Sequence, residues 1–179
     1  SHPCICKFYG FSVKPPQRMA LEYLENGSLK TIFDDLSKNK KVNYWNGTMK
    51  SKTVFGIAAA LIHLHNQGIF HRNLTPSCIL FDSNFEPRIT DFGWSQLESD
   101  EIKEPSGIYK TNYIYQAPEL AKNRGYNHLC DNFSYGIILY HIVISINAFS
   151  EDFLYLFLKL KKMKLGLHYH LIYLQSLHQ

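Results

Sequence analysis

Several features that would narrow the function at once are missing from these 179 residues. G-x-G-x-x-G occurs nowhere, so no glycine-rich loop of the phosphate-cradling kind can be placed on the chain. A strong charge bias is missing as well. Nineteen Lys and Arg stand against 15 Asp and Glu, a net charge of +4. The lysines gather at 38–41 and 159–164 without aromatic residues interleaved, the pattern of solvated faces, so nucleic acid is not an expected partner. The apolar stretch 133–149 is interrupted by His141, Ser145 and Asn147 and falls short of 18 clean residues. It reads as a buried helix and makes a membrane partner unexpected. Cys4, Cys6, Cys78 and Cys130 lack metal-ligand spacing, and neither His63/His65 nor His168/His170 has a third ligand placed beside it. Without a secretory signal pattern at the start, the N-x-[ST] triplets at Asn26, Asn46, Asn73 and Asn132 read as chance. Reduced thiols in a cytoplasmic setting are the expectation.

What is present is the composition of a folded domain, 45% hydrophobic and 15% aromatic, in a chain long enough for a sizeable core. The clearest helix is predicted over 50–67. Val54, Ile57, Ala58, Leu61, Ile62 and His65 form one face, and Gly68 supplies the stop. Ser28 is placed to cap a short helix ending near Ser37. Residues 38–48 read as a polar loop with a turn at Asn46-Gly47. Ile79–Phe81 and Arg88–Thr90 read as strands of a hairpin turning at Asp82-Ser83-Asn84. That hairpin brings two loops together, one opening at His71-Arg72-Asn73 and the other at Asp91-Phe92-Gly93.

Those two loops carry a resemblance to the eukaryotic protein kinases, whose catalytic loop reads H-R-D-x-K-P-x-N and whose metal loop reads D-F-G. Four further stretches extend it in order. His2-Pro3 and the apolar residues after it resemble the loop and strand before the hinge, and Leu21–Leu29 resembles the hinge itself. Ala117-Pro118-Glu119 is similar to A-P-E, and Asp131–Gly136 to the D-x-[WY]-S-[FY]-G start of the central helix. The resemblance implies an α+β fold, a mainly helical kinase large lobe with a few short strands and most of the small lobe absent. Residues 1–27 correspond to a remnant of the small lobe and hinge, 28–161 to an incomplete large lobe, and 162–179 to an unmatched tail such as an altered reading frame or premature end would give. Neither V-A-I-K nor its partner glutamate helix is found. A protein partner or an upstream small lobe is therefore expected to cover residues 1–24.

At the decisive positions the chain departs from the family. Asn73 stands where the family has the catalytic Asp, and an amide is no base near pH 7, a loss typically of about 10²–10⁴ in rate. Cys78 stands at the asparagine that helps hold magnesium, and a thiol is a poor ligand for that hard ion. Thr75 replaces the catalytic-loop lysine. Asp91 remains as the magnesium ligand. ATP and Mg2+ are implied by the resemblance alone, and their binding is expected to be weak or absent. Leu21 falls at the gatekeeper position, with Glu22 and Leu24 offering backbone groups to an adenine or forming only a strand-to-helix connection. Arg72 in the family pairs with a phosphate on the activation segment. Ser95, Ser99, Ser106, Tyr109, Thr111 and Tyr113 are the available acceptors, and the acidic run Glu98–Glu101 is an alternative partner needing no phosphate. His71 is expected near the D-F-G backbone, and Asp131 as both helix cap and brace of the catalytic loop. Glu119 finds no arginine after Arg124 to pair with.

Three readings stand. The first is a pseudokinase-type module that acts, if at all, by binding protein. The second is an ATP-dependent protein serine/threonine kinase whose small lobe lies upstream, the type suggested by Thr75-Pro76. The third is a truncated remnant without a selected function.

Overall fold

The computed structural model describes residues 1–100, 114–118 and 127–144. Among them lie three helices, α1 (Leu29–Ser37), α2 (Gly47–Asn66) and α3 (Leu129–Ile144). The strands pair two by two and antiparallel: β1 (Phe8–Ser12) with β2 (Arg18–Leu21), β3 (Ile69–Phe70) with β6 (Gln96–Leu97), and β4 (Ile79–Phe81) with β5 (Pro87–Ile89). The arrangement is α+β and compatible with part of a kinase fold.

Helix α1 starts where Ser28 Oγ accepts from the Thr31 N–H, a side-chain cap for one of the orphan donors of the first turn. Helix α2 begins earlier than its periodicity suggests. Asn46 is its cap rather than part of a turn, with Oδ1 accepting from the Met49 N–H at 3.0 Å. Its buried face is also rotated from the predicted one, and runs through Met49, Thr53, Gly56, Ile57, Ala60, Leu61 and Leu64, leaving Ile62 exposed. The reason is that α2 is apolar nearly all round, so spacing alone cannot choose a face, and small residues make the choice. A Cβ added at Gly56 would stand 2.4 Å from Pro87 Cγ and 3.3 Å from Cys4 Sγ, so this glycine lets the helix lie against β5.

The core gathers Leu29, Ile57, Leu61, Phe81, Ile89 and Ile138 from α1, α2, the hairpin and α3. The hairpin forms as expected, shifted by one residue on its second strand, and pairs Ile79 with Ile89. Its turn is built by Asp82, whose Oδ1 accepts from the N–H groups of Asn84 and Glu86. Residues 4–6 run along β5, with Cys6 N–H donating to Ile89 O and Ile89 N–H to Cys4 O. The β1–β2 ribbon projects from this assembly. Its cross-strand pairs Phe8–Leu21 and Phe11–Met19 form one apolar face whose members are 48–70% exposed.

Helix α3 also starts earlier than expected. Asn127 Oδ1 accepts from the Leu129 N–H at its start, and Asp131 lies in the first turn rather than at the cap. The predicted helix over 151–161 and the tail 162–179 fall outside the described residues.

Candidate functional site

The loop after β3 is held from below by one buried carboxylate. Asp131, fully buried, accepts from the His71 N–H at Oδ2 and the Arg72 N–H at Oδ1, each at 2.8 Å. His65 Nε2 lies 3.0 Å from Oδ2 and serves as a third donor. Burial alone would push this carboxyl up, but the bonds from His65, His71 and Arg72 outweigh it and hold the group below the usual carboxylate range. His65 reads in the sequence merely as part of an apolar helix face. A histidine on such a face needs a polar partner, and that was the available signal.

A second bond ties the two loops together. His71 Nε2 lies 2.9 Å from the Thr90 carbonyl oxygen, which can only accept, so Nε2 carries the proton. The His71 and Phe92 rings sit 5.1 Å apart. The backbone bends sharply at both loops, with Arg72 at φ 67° and Asp91 at φ 64°, ψ 61°, the left-handed region that non-glycine residues seldom enter. The paired hairpin and the Asp131 brace hold these strained residues in place.

Between the loops lies the corner that the resemblance assigns to metal and phosphate. Cys78 closes a short 3-10 turn (Pro76–Cys78) and is buried. Its sulfur lies 3.3 Å from the Asn73 carbonyl oxygen, 3.3 Å from Thr75 Oγ1 and 3.8 Å from Asp91 Oδ2. Thr75 is itself 3% exposed, its hydroxyl directed at the sulfur. Burial, with the Asp91 charge behind it, pushes the Cys78 thiol up despite the bonds from Thr75, so it stays protonated near pH 7. Asn73, Thr75, Cys78 and Asp91 are thus neighbours in space.

The remaining predicted residues stand as follows. Glu22 spends its N–H on Lys7 O, while its carboxylate accepts from the Lys7 N–H and lies 3.8 Å from Arg88 Nη2. Leu24 is buried, and Leu21 is about half exposed on the ribbon. Arg72 donates from Nη1 to Gln96 Oε1 at 2.7 Å, a neutral partner on β6 two residues ahead of Glu98. Ser106, Tyr109, Thr111, Tyr113 and Glu119 lie outside the described residues. The short segment 114–118 is anchored on α3 by contacts that spacing did not reveal. Ser134 Oγ donates to Tyr115 O at 2.6 Å, and Tyr115 Oη lies 3.2 Å from His141 Nδ1. A small pocket opens where this segment meets the loop, lined by Asn73, Thr75, Tyr115 and Gln116.

Comparison with known proteins agrees with this geometry. The protein kinase domain profile matches residues 1–165. The chain is 35% identical over 155 residues to the dual specificity testis-specific protein kinase 2 of Mus musculus, covering 83% of this chain and 26% of that protein. It is 33% identical over 147 residues to a probable leucine-rich repeat receptor-like serine/threonine-protein kinase of Arabidopsis thaliana, covering 79% and 14%. With the Aurora kinase of Saccharomyces cerevisiae the identity is 28% over 153 residues, covering 85% and 40%. The chain belongs to the protein kinase family. It spans less than half the length of each of these relatives.

The family generally uses ATP and Mg2+, so the corner can be tested for fit. Magnesium demands oxygen ligands at about 2.0–2.1 Å in near-octahedral array. Here one exposed carboxylate, Asp91, faces a neutral, buried sulfur. This donor set does not fit magnesium. Among the described residues, no helix is long and apolar enough to cross a membrane.

Proposed function

We propose that this chain is a protein-kinase-like module that does not transfer phosphate and acts by binding protein. The observation that carries the reading is Asn73, which occupies the position of the family's proton-accepting aspartate on a loop otherwise held in place by Asp131 and His71. The amide accepts no proton near neutral pH, and loss of a positioned base costs about 10²–10⁴ in rate. Thr75 and Cys78 support the same reading, since side chains that would meet the phosphates and metal are turned to one another. On this view ATP is held weakly, residues 28–161 correspond to the large lobe, and residues 1–27 lead into it through the hinge. The apolar face of Phe8, Phe11, Met19 and Leu21 is where a protein partner, or a small lobe, docks.

A protein serine/threonine kinase is the second reading, favoured by one observation. Asp91 sits strained beside a fully braced loop, an arrangement that costs stability and serves metal binding in the family. Transfer of labelled phosphate from ATP to casein separates the two. We expect none above background from the chain. Transfer that vanishes in Asp91→Ala would overturn the proposal and establish the second reading.

A further inference from the structure

We infer that Cys78 turns the metal corner of this module into one that excludes magnesium, so that a nucleoside triphosphate bound by the chain is held as the metal-free anion. This inference rests on the kinase-like reading above and specifies the ligand of the same site.

The geometry around the sulfur carries it. Cys78 Sγ is surrounded by Asn73 O and Thr75 Oγ1 at 3.3 Å and Asp91 Oδ2 at 3.8 Å. A magnesium ion bound to Asp91 Oδ2 on this side would sit about 2.1 Å from that oxygen and needs several further oxygens, protein or water, at the same distance. The interval between Oδ2 and Sγ leaves room for neither the ion nor its water, because the sulfur fills the volume. Nor can the sulfur retreat, since Cys78 is 2% exposed and closes the turn that leads into β4. The two flanking oxygens offer no substitute. Thr75 Oγ1 is turned onto the sulfur, and Asn73 O, a backbone carbonyl, faces it from the other side. The left-handed backbone at Asp91 fixes where its side chain starts, beside the hairpin and facing the sulfur. What separates this corner from an oxygen-lined one is therefore a single side chain. Replacing the sulfur with an amide or hydroxyl oxygen supplies a hard donor at the one place where the present corner offers none.

Equilibrium dialysis of labelled ATP against the full chain, in magnesium and in EDTA, tests this on wild type, Cys78→Asn and Cys78→Ser. The serine variant is nearly isosteric and keeps the test open if the larger amide disturbs the buried turn, with folding of each variant followed by circular dichroism. We expect wild-type affinity to differ by less than about threefold between the two buffers. We expect Cys78→Asn to bind tighter in magnesium by about tenfold or more, the scale on which one metal-supporting residue acts, and Cys78→Ser to move the same way by less. A wild-type complex that forms only with magnesium overturns the inference. So does a set of folded variants that respond to magnesium no more than wild type, including the case in which no sample retains ATP. Formation of phosphorylated casein is read separately. A magnesium-requiring complex that transfers nothing removes this inference and leaves the proposed function standing.

Discussion

Removing the Asp131 carboxylate is the sharpest perturbation the fold offers. In Asp131→Ala the N–H groups of His71 and Arg72 lose their acceptor, and His65 loses its partner across the same oxygen. A buried donor left without a partner costs about 1–3 kcal/mol. Breaking a buried charged interaction by deleting one side costs about 3–5 kcal/mol. We expect a loss in that upper range, a large part of the ~5–15 kcal/mol that holds a domain together. Urea unfolding followed by circular dichroism reads it as a lower midpoint at unchanged slope. The control is Asp34→Ala, whose carboxylate meets Lys30 at 2.5 Å on the exposed face of α1, a pair of the sort worth ~1 kcal/mol or less. Acid supplies a second readout. The Asp131 carboxyl is held below its unfolded value in the native state, so its contribution is complete above the unfolded value near ~3.9 and drains away as the pH falls through the lower folded value. Wild type and Asp131→Ala should therefore differ most near neutrality and converge in strong acid. A neutral-pH loss no larger than that of Asp34→Ala would refute the reasoning.

Gly56→Ala should lower the melting temperature. The helix-propensity gain of about 1 kcal/mol is opposed by overpacking of about 1–3 kcal/mol where the new methyl meets the Pro87 ring at 2.4 Å. Asn46→Ala should cost about 1 kcal/mol in chemical unfolding, while Asn46→Asp, which keeps the cap acceptor for the Met49 N–H, should be close to neutral. Burial pulls His141 down to about 4, so the unfolded chain binds the extra proton first as the pH falls below ~6.5. Stability should decline from that pH to about 4, by ~3 kcal/mol at most, and His141→Leu should flatten this slope in pH-dependent melts.

Legibility in the sequence depended on what kind of signal a residue carried. The bracing roles of His71 and Asp131 were implied by the kinase resemblance, and the contacts are there: one bond crosses from His71 to Thr90, and two rise from Asp131 to the loop, although Asp131 does not cap its helix. The hairpin was legible because Asp82-Ser83-Asn84 has turn chemistry between two β-rich runs. Helix α2 was legible as a helix but not in its orientation. With apolar residues on all sides, its packing was decided by the absence of a side chain at Gly56, and periodicity does not weigh such absences. Asn46 was misread because Asn-Gly serves turns and helix caps alike, and only the Met49 N–H distinguishes them. His65 and the Tyr115–Ser134 and Tyr115–His141 contacts lay beyond reach, because each joins residues 19–66 positions apart with no motif linking them.

The separation between Asp131 and the loop it holds has a consequence in time. His71 and Arg72 leave the ribosome 60 and 59 residues before the carboxylate that fixes their backbone. At synthesis rates of roughly 5–20 residues per second, the nascent loop waits about 3–12 s for its support. In that interval the left-handed bend at Arg72 lacks its carboxylate acceptor, and the hairpin must form beside an unfinished neighbour. The site of this protein is therefore assembled late, and a pause in translation before the codon for Asp131 prolongs the period in which it does not exist.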